Sequence, residues 1–470
     1  MRSVYQPPKS SAYGVSLCEG CLEKQREIDR LKEEIQQLRV KLSAKKRKDK
    51  EGFFGSSTPS SQLPVKANSP DAQALKRGGA KPGHPGNGRK KQQPENVDQV
   101  RVVEVEPRCP ECSGLMPEKD YRERSVLDID PIRVLQVRYR LQRRACPHCQ
   151  RIVTAQASDV LPRALYSNQL LAEIVDSHYL QGMPLGRVCA RWQLNYGSVI
   201  QALHRLAALC EPVMKDLKAI YQRAVVRHAD ETSWRTDGQN GYCWLFASDC
   251  VSLHLYRKTR SAKVVEEVLG RSALSGYLVV DRYQGYSRVP CQVQYCYAHL
   301  LRNMKELSQE FADETEVEAY AQRMVELLAQ AMRLQSSKPS DADYYREARR
   351  IKKEMLTACH RASHHLAIKR WQDFFVEQAE RLYHWVSDRR VPCENNRAER
   401  ELRPTVIARK VSHGSQAEEG AKTREVLMSV MQTLKKRVVD PRQKFKAVLD
   451  KIALNSQLKI DELLFHTDSS

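Results

Sequence analysis

Ile28, Leu31, Ile35, Leu38 and Leu42 recur at alternating steps of three and four, with Glu, Lys, Gln and Arg between them. That spacing predicts an amphipathic helix with a coiled-coil seam and so a dimer or higher oligomer, although one helix packing on its own chain has the same pattern. From Ala44 to about Asn96 apolar residues thin out and Lys, Arg, Ser, Pro and Gly take over, which predicts a flexible basic arm without a core. Helical spacing returns from Ser167 to Lys218: one helix from Asn168 to Leu180, another from Leu185 to Trp192, and a longer one from Ser198, with turns at Gln181 to Pro184 and Leu194 to Gly197. Two short helices around a tight turn predict a helix-turn-helix whose recognition helix exposes Tyr196, Ser198, Gln201 and Arg205; a helical hairpin that touches no DNA fits the same pattern.

The pattern then changes to strands at Ala224 to Ala229, Tyr242 to Ser248 and Ser252 to Arg257, followed by a helix near Ala262 to Leu269 and strands at Tyr277 to Val280 and Gln292 to Tyr297. Three hairpin-linked strands, a helix and a further strand describe the opening of an RNase H-like fold, so the class is α/β. Residues from about Ala298 to Asp388 read as charged helices inserted into that core, and a last helical stretch carries Glu394 to Arg403. The expected organisation is a coiled-coil segment with a CxxC pair over 1–46, a basic arm over 47–98, a zinc ribbon over 99–160 and a helical DNA-binding region over 161–218. A catalytic core over 219–410, with a helical insertion at about 300–388, and a C-terminal helical region over 411–470 complete it.

Charge sharpens the picture. Lys and Arg number 78 against 57 Asp and Glu, a formal net charge of +21, spread along the chain, which favours an extended polyanion such as double-stranded DNA as partner. No stretch reaches the roughly 18 apolar residues of a membrane span, and Met1 to Gly14 lacks the apolar core of a signal peptide, so the expected location is the cytoplasm, at the nucleoid. In that compartment the 14 cysteines point to metal ligands and buried thiols rather than disulfides. Cys109 with Cys112 and Cys146 with Cys149 form two CxxC knuckles, the requirement for a closed, structural Zn²⁺ site, with a hairpin expected at Ser125 to Arg144 between them. Cys18 and Cys21 form a lone pair, half of a tetrahedral site. In the arm, glycines stand beside Lys81, His84, Arg89, Lys90 and Lys91, letting the backbone approach phosphates.

Cutting a phosphodiester with water requires a deprotonated nucleophile and a stabilised leaving oxygen, which two Mg²⁺ (or Mn²⁺) ions provide when carboxylates hold them. Asp230 and Asp281 each follow a strand-like run, so neighbouring strands would carry both to one sheet edge; a strand-end cap is the ordinary role of either residue taken alone. In chain order, His228-Ala-Asp-Glu-Thr232, Asp281-Arg-Tyr-Gln-Gly-Tyr286, Cys296-Tyr-Ala-His299 and Glu394-Asn-Asn-Arg-Ala-Glu-Arg-Glu-Leu-Arg-Pro404 resemble the motifs of the insertion-sequence sixty-six family of DDE transposases. The Gly-His-Pro-Gly arm and the CxxC pairs resemble that family too, so the likeness runs from about Gly78 to Pro441.

The resemblance implies an acidic triad of Asp230, Asp281 and Glu399, nicking at element ends, and attack of the freed 3′-hydroxyl on target DNA, with accessory transposition proteins as possible partners. Among Glu394, Glu399 and Glu401, Glu399 is chosen because on a helix it shares a face with Asn395, Asn396 and Arg403. Glu231 is sent to the opposite face by strand alternation. Cys296 and His299, at CxxH spacing, could be two zinc ligands without partners, but are expected as a buried thiol and a histidine near the metals, while Arg397, Arg400, Arg403, Arg409 and Lys410 would neutralise phosphate. After the helix, Val411-Ser-His-Gly-Ser415 departs from the aromatic cluster of many relatives, so their DNA preferences do not transfer. Two other readings fit the composition: a domesticated zinc-ribbon DNA-binding protein without catalysis, and an RNase H-like nuclease that cuts without joining.

Overall fold

The computed structural model describes residues 23–35, 37 and 38, 108, 111–115, 133–145, 147–149 and 152–465. The chain divides into two units, residues 65–137 and the remainder. In the smaller unit an antiparallel bridge between Arg108 and Leu115 closes a turn that carries Cys112, and Arg108 donates to the Ser113 carbonyl at 3.3 Å. Cys109, Cys146, Cys18, Cys21, Leu42 and the arm cations Lys81, His84, Arg89, Lys90 and Lys91 lie outside the described residues.

The first described element of the larger unit is helix α1, residues 23–35 with 37 and 38, on which Ile28, Leu31, Ile35 and Leu38 are exposed. β1 (Arg143–Ala145) pairs antiparallel with β2 (Ile152–Thr154) around Cys149. The hairpin expected at Ser125 to Arg144 is not found where it is described: 133–142 carry no strand. A CxxC turn is itself a chain reversal, so the residues flanking it are the ones brought close enough to pair.

The following helices are α2 (Asn168–Val175), α3 (Leu185–Trp192), α4 (Tyr196–Cys210) and α5 (Val213–Arg223). The single helix expected to Leu180 changes at Asp176 into a π-turn, Asp176–Leu180, where Gln181 N–H reaches the Asp176 carbonyl at 3.0 Å. α4 starts earlier than Ser198, because Asn195 accepts from the Ser198 N–H at 3.0 Å and so caps the helix from outside.

Five strands form the central sheet: β3 (Val226–Thr236), β4 (Gln239–Ala247), β5 (Ser252–Arg257), β6 (Tyr277–Val280) and β7 (Gln292–Tyr295), in the order β5-β4-β3-β6-β7. β3, β4 and β5 are antiparallel neighbours, whereas β6 runs parallel to β3 and β7 parallel to β6. β3 extends well past Ala229 because Asp237 and Gly238, at φ 51° and 68°, make the two-residue turn that fits strand twist and pairs Thr236 with Gln239. α6 (Ala262–Leu269) crosses between β5 and β6.

The insertion consists of α7 (Tyr297–Glu310), α8 (Thr315–Ser336), α9 (Asp341–His360), α10 (Leu366–Glu377) and α11 (His384–Ser387). After it come α12 (Asn396–Ser412), α13 (Glu418–Arg437), α14 (Pro441–Leu454) and α15 (Ile460–Phe465). One face of the sheet buries Trp244, Phe246, Leu278 and Val280 in the main core. The other buries Trp234, Leu245 and Tyr256 against Ala398, Leu402 and Ala408 of α12.

β5 is an edge strand, and its outward N–H groups would be open to pairing with another chain. α13 covers them: Thr433 Oγ1 accepts from Ser252 N–H at 3.1 Å, Ser429 Oγ from His254 N–H at 2.8 Å, and Glu425 from Tyr256 N–H at 2.9 Å. Steps of four along the helix meet steps of two along the strand, so one helical stripe closes the edge. No helix among the described residues is long and apolar enough to cross a membrane.

Candidate active site

Parallel pairing of β3 with β6 sets the level of the two aspartates. The register matches Val226 with Tyr277, Arg227 with Leu278 and His228 with Val279; two residues further along stand Asp230 and Asp281. Equal steps from matched residues leave both on one face. That face carries α12, since His228 Nδ1 lies 2.9 Å from Asn395 Oδ1, Arg409 donates to Thr232 Oγ1 at 2.6 Å, and Trp234 packs with Ala398 and Leu402. Asp230 therefore sits inside a long strand rather than at its end.

Asp230 and Asp281 are both buried. Asp230 Oδ1 accepts from the Glu231 N–H at 2.9 Å, and Asp281 Oδ1 accepts from the Tyr283 N–H at 2.9 Å, a local turn that fixes the carboxylate. Glu399 lies in the first turn of α12. Burial holds its carboxyl above the ordinary range, opposed first by Arg302 and then by Arg403, with Glu394 and Asp281 adding to the rise. Its Oε1 is buried without a hydrogen-bond partner.

Asn395 positions this helix. It is not a helical residue sharing a face with Glu399, as the sequence spacing suggests, but the buried residue just before α12. Its Nδ2 donates to the Ala229 carbonyl at 2.8 Å, its Oδ1 accepts from His228 Nδ1, and its backbone N–H points at Cys296 Sγ, 3.1 Å away. The adjoining Tyr297 N–H donates to the Cys393 carbonyl at 2.7 Å. One amide thus ties the start of α12 to the strand beside Asp230 and to the end of β7, and it is not free to bind phosphate. Asn396 stays partly exposed at the helix start.

Cys296 is a buried thiol, pushed up to about 12 by burial. His299 is pushed down to about 4 by burial, although the Asp281 charge acts the other way; both ring nitrogens are buried without partners, as is one guanidinium nitrogen of Arg302. His228 is likewise lowered to about 4 by burial.

The expected phosphate-binding cations divide into two groups. Arg409 Nη1 donates to Thr232 Oγ1 and to the Ser233 hydroxyl and carbonyl, and Arg397 pairs with Asp249 at 2.6 Å, so part of each guanidinium is already engaged on the protein. Arg400, Arg403 and Lys410 are exposed. On α4, Gln201 and Arg205 are exposed on one face, with Arg205 donating to the Arg163 carbonyl at 3.2 Å.

On the opposite face of β3, Glu231 is fully buried, its carboxylate 2.7 Å from Arg260 Nε and 2.6 Å from the Tyr286 hydroxyl. Burial, with the Asp281 charge next, raises it to about 7, while Arg260 opposes. Arg260 lies over the Tyr283 ring at 3.8 Å, and a Cβ at Gly285 would meet that ring at 2.4 Å. Strand alternation places Glu231 on this face but does not reveal its partners; their signal in the chain is the pair of tyrosines spaced around Gly285, which hold the Asp281 loop to β3.

Among the described residues, no three His, Cys, Asp or Glu side chains stand close enough to hold a metal ion. The donor chemistry of two level aspartates and a glutamate with an unsatisfied oxygen nevertheless suits hard cations such as Mg²⁺ or Mn²⁺, which take oxygen ligands and keep water.

The site is thus two buried aspartates, level on one face of an α/β core, beneath a helix that carries a glutamate. Residues 163–423, more than half of the chain, match the family model described as Transposase IS66 family, and residues 106–150 match the zinc-finger binding domain of transposase IS66. The chain belongs to the IS66 transposase family. Two curated relatives from Sinorhizobium fredii (strain NBRC 101917 / NGR234) are similar across most of their length. "Uncharacterized protein y4qI" is 23% identical over 76% of this chain and 73% of its own, and "Uncharacterized protein y4hP" is 22% identical over 79% and 75%. No solved structure matches.

Proposed function

We propose that the chain is a DDE transposase with an RNase H-like core that cleaves the ends of its insertion sequence and joins them to target DNA. The observation that carries this reading is the register that levels Asp230 with Asp281 on the face covered by the Glu399 helix. The strand order, with three antiparallel strands followed by two parallel ones, supports the RNase H-like assignment.

Asp230, Asp281 and Glu399 would hold Mg²⁺ or Mn²⁺, and such ions, when bound, deprotonate the attacking water or 3′-hydroxyl and stabilise the leaving oxygen. The unpartnered Oε1 of Glu399 is an unsatisfied acceptor suited to a cation, and Asn395 holds the helix that carries it. Arg400, Arg403 and Lys410 bind phosphates of the cut strand, and His299 is held neutral, able to accept or donate one hydrogen bond beside Asp281.

Cys109, Cys112, Cys146 and Cys149 hold a structural Zn²⁺; the turns that carry Cys112 and Cys149 support this. α3 and α4 form the helix-turn-helix that reads element ends with Gln201 and Arg205, and the exposed apolar stripe of α1 joins two copies. The protein acts on nucleoid DNA, with accessory transposition proteins as further partners. The test is incubation of the full chain with DNA flanking this reading frame, with Mg²⁺ or with a chelator. Metal-dependent nicks at the ends and strand joining are expected. Cutting without joining favours a nuclease, and binding alone a domesticated DNA-binding protein.

A further inference from the structure

The helical insertion contains a groove of about 1460 Å³ between α8, α9 and the start of α10. Acids and bases nearly balance over residues 300–388, yet they are not evenly distributed. Arg349, Arg350, Lys352 and Lys353 from α9, Arg323 from α8 and Arg361 just beyond α9 line the groove, against Glu316 and Glu354. Tyr320, Leu356 and Ile368 make an apolar floor between them.

Those cations differ in how far they are already engaged. Arg350 bonds Glu347 at 2.9 Å, Gln330 at 2.9 Å and also Glu354. Arg323 pairs with Glu354 at 2.5 Å. Lys352 lies 5.1 Å from the Tyr383 ring centre. The exposed side chains of Arg349, Lys353 and Arg361 make no ion pair or hydrogen bond with the described residues. Arg349 and Lys353 are four residues apart, one above the other on a single face of α9. Exposed like charges stacked this way repel, a cost that a polyanion laid across them reverses.

The groove is also mechanically joined to the acids. α10 supplies Ile368 and Gln372 to the groove wall, and from the same helix Trp371 and Phe374 pack on Arg282, whose guanidinium carbon is 5.4 Å and 5.0 Å from their ring centres. Arg282 directly follows Asp281 and donates to Asn303 on α7 at 2.6 Å. DNA resting in the groove would therefore be indexed, through one helix, to the loop that carries Asp281.

We infer that this groove is a second DNA-binding surface, taking the phosphodiester backbone of DNA through Arg349, Lys353 and Arg361. It rests on the reading of the chain as a DNA-acting protein but not on the acids. The experiment is a salt titration of binding between the full chain and a duplex carrying the DNA that flanks this reading frame. Arg349→Glu with Lys353→Glu should weaken binding by roughly tenfold at fixed salt and flatten the slope of log affinity against log salt by about 2, since each phosphate contact releases about one counterion. In parallel, DNA should protect Lys353 of the unaltered chain from amine acylation, read by mass spectrometry, so the inference remains testable if the doubly substituted chain does not fold. Unchanged affinity and slope in a folded variant, or equal acylation of Lys353 with and without DNA, overturns it. That result would leave the groove as a surface for an acidic protein. A wild-type chain that binds with the steeper slope yet never cleaves would sink the catalytic reading and leave the groove standing.

Discussion

Asn395 donates its side-chain amide to the Ala229 carbonyl at 2.8 Å, one residue from Asp230 and directly before the helix that carries Glu399. Asn395→Ala removes that bond and leaves the His228 Nδ1–H and the Ala229 carbonyl unsatisfied in a buried place. A loss of about 2–4 kcal/mol of stability follows from two orphaned groups. End cleavage should fall by more than tenfold while duplex binding holds, because the helix bearing the third acid loses its anchor. Denaturant unfolding and a cleavage assay read the two effects, and unimpaired cleavage would refute the positioning role.

Helix α13 predicts a second result. Thr433→Val strips the acceptor from the Ser252 N–H, and Ser429→Ala strips it from the His254 N–H. Each should cost about 1–3 kcal/mol, the desolvation penalty of one buried donor. The double substitution should also increase self-association, since it reopens a strand edge. Urea unfolding with light scattering checks both, and wild-type values in both would contradict the edge-covering account.

Two further buried histidines set an acid limit. Burial first, then Arg424, pushes His178 down to about 3, and burial likewise lowers His254 to about 3. His178 Nδ1–H donates to the Met183 carbonyl at 2.8 Å and its Nε2 accepts from Arg424 at 3.1 Å, so the neutral ring is the one that fits. Below the ordinary histidine pKa of about 6.5 the unfolded chain takes up protons that the folded chain refuses, so stability falls as pH drops from there toward 3, by up to about 1.4 kcal/mol per pH unit for each ring. Melting temperature measured from pH 7 to pH 5 should decline, and His178→Gln should flatten that decline. An identical slope in the variant would count against it.

The zinc assignment makes a separate prediction. Cys149→Ser should abolish bound zinc and weaken DNA binding, while the fold of residues 152–465 survives as judged by circular dichroism. Metal analysis that finds equal zinc in variant and wild type would dismiss the four-thiolate site.

Much of the core was legible because its apolar runs are short and bounded by polar or turn residues: the strands Ser252–Arg257 and Tyr277–Val280 and the helix Ala262–Leu269 between them lie where the pattern places them. β3 was cut short at Ala229 because Asp230, Glu231 and Thr232 look like strand-ending polar residues. Only pairing with β4 and burial on both faces reveal that they lie inside a strand. Asn395 was misplaced for a related reason, since helical periodicity cannot say where a helix begins without its cap. The partnerships of Arg409 with β3 and of Arg397 with Asp249 join residues far apart in the chain, and neither spacing nor charge announces them.

The central claim is that Asp230, Asp281 and Glu399 act as one set. It is tested most directly by comparing the wild-type chain with Asp230→Asn, Asp281→Asn and Glu399→Gln for Mg²⁺-dependent cleavage of the element end, with end binding measured on the same duplex. The account predicts that each substitution lowers cleavage by at least about a thousandfold with binding nearly unchanged. Full cleavage by any one of the three folded variants would contradict it.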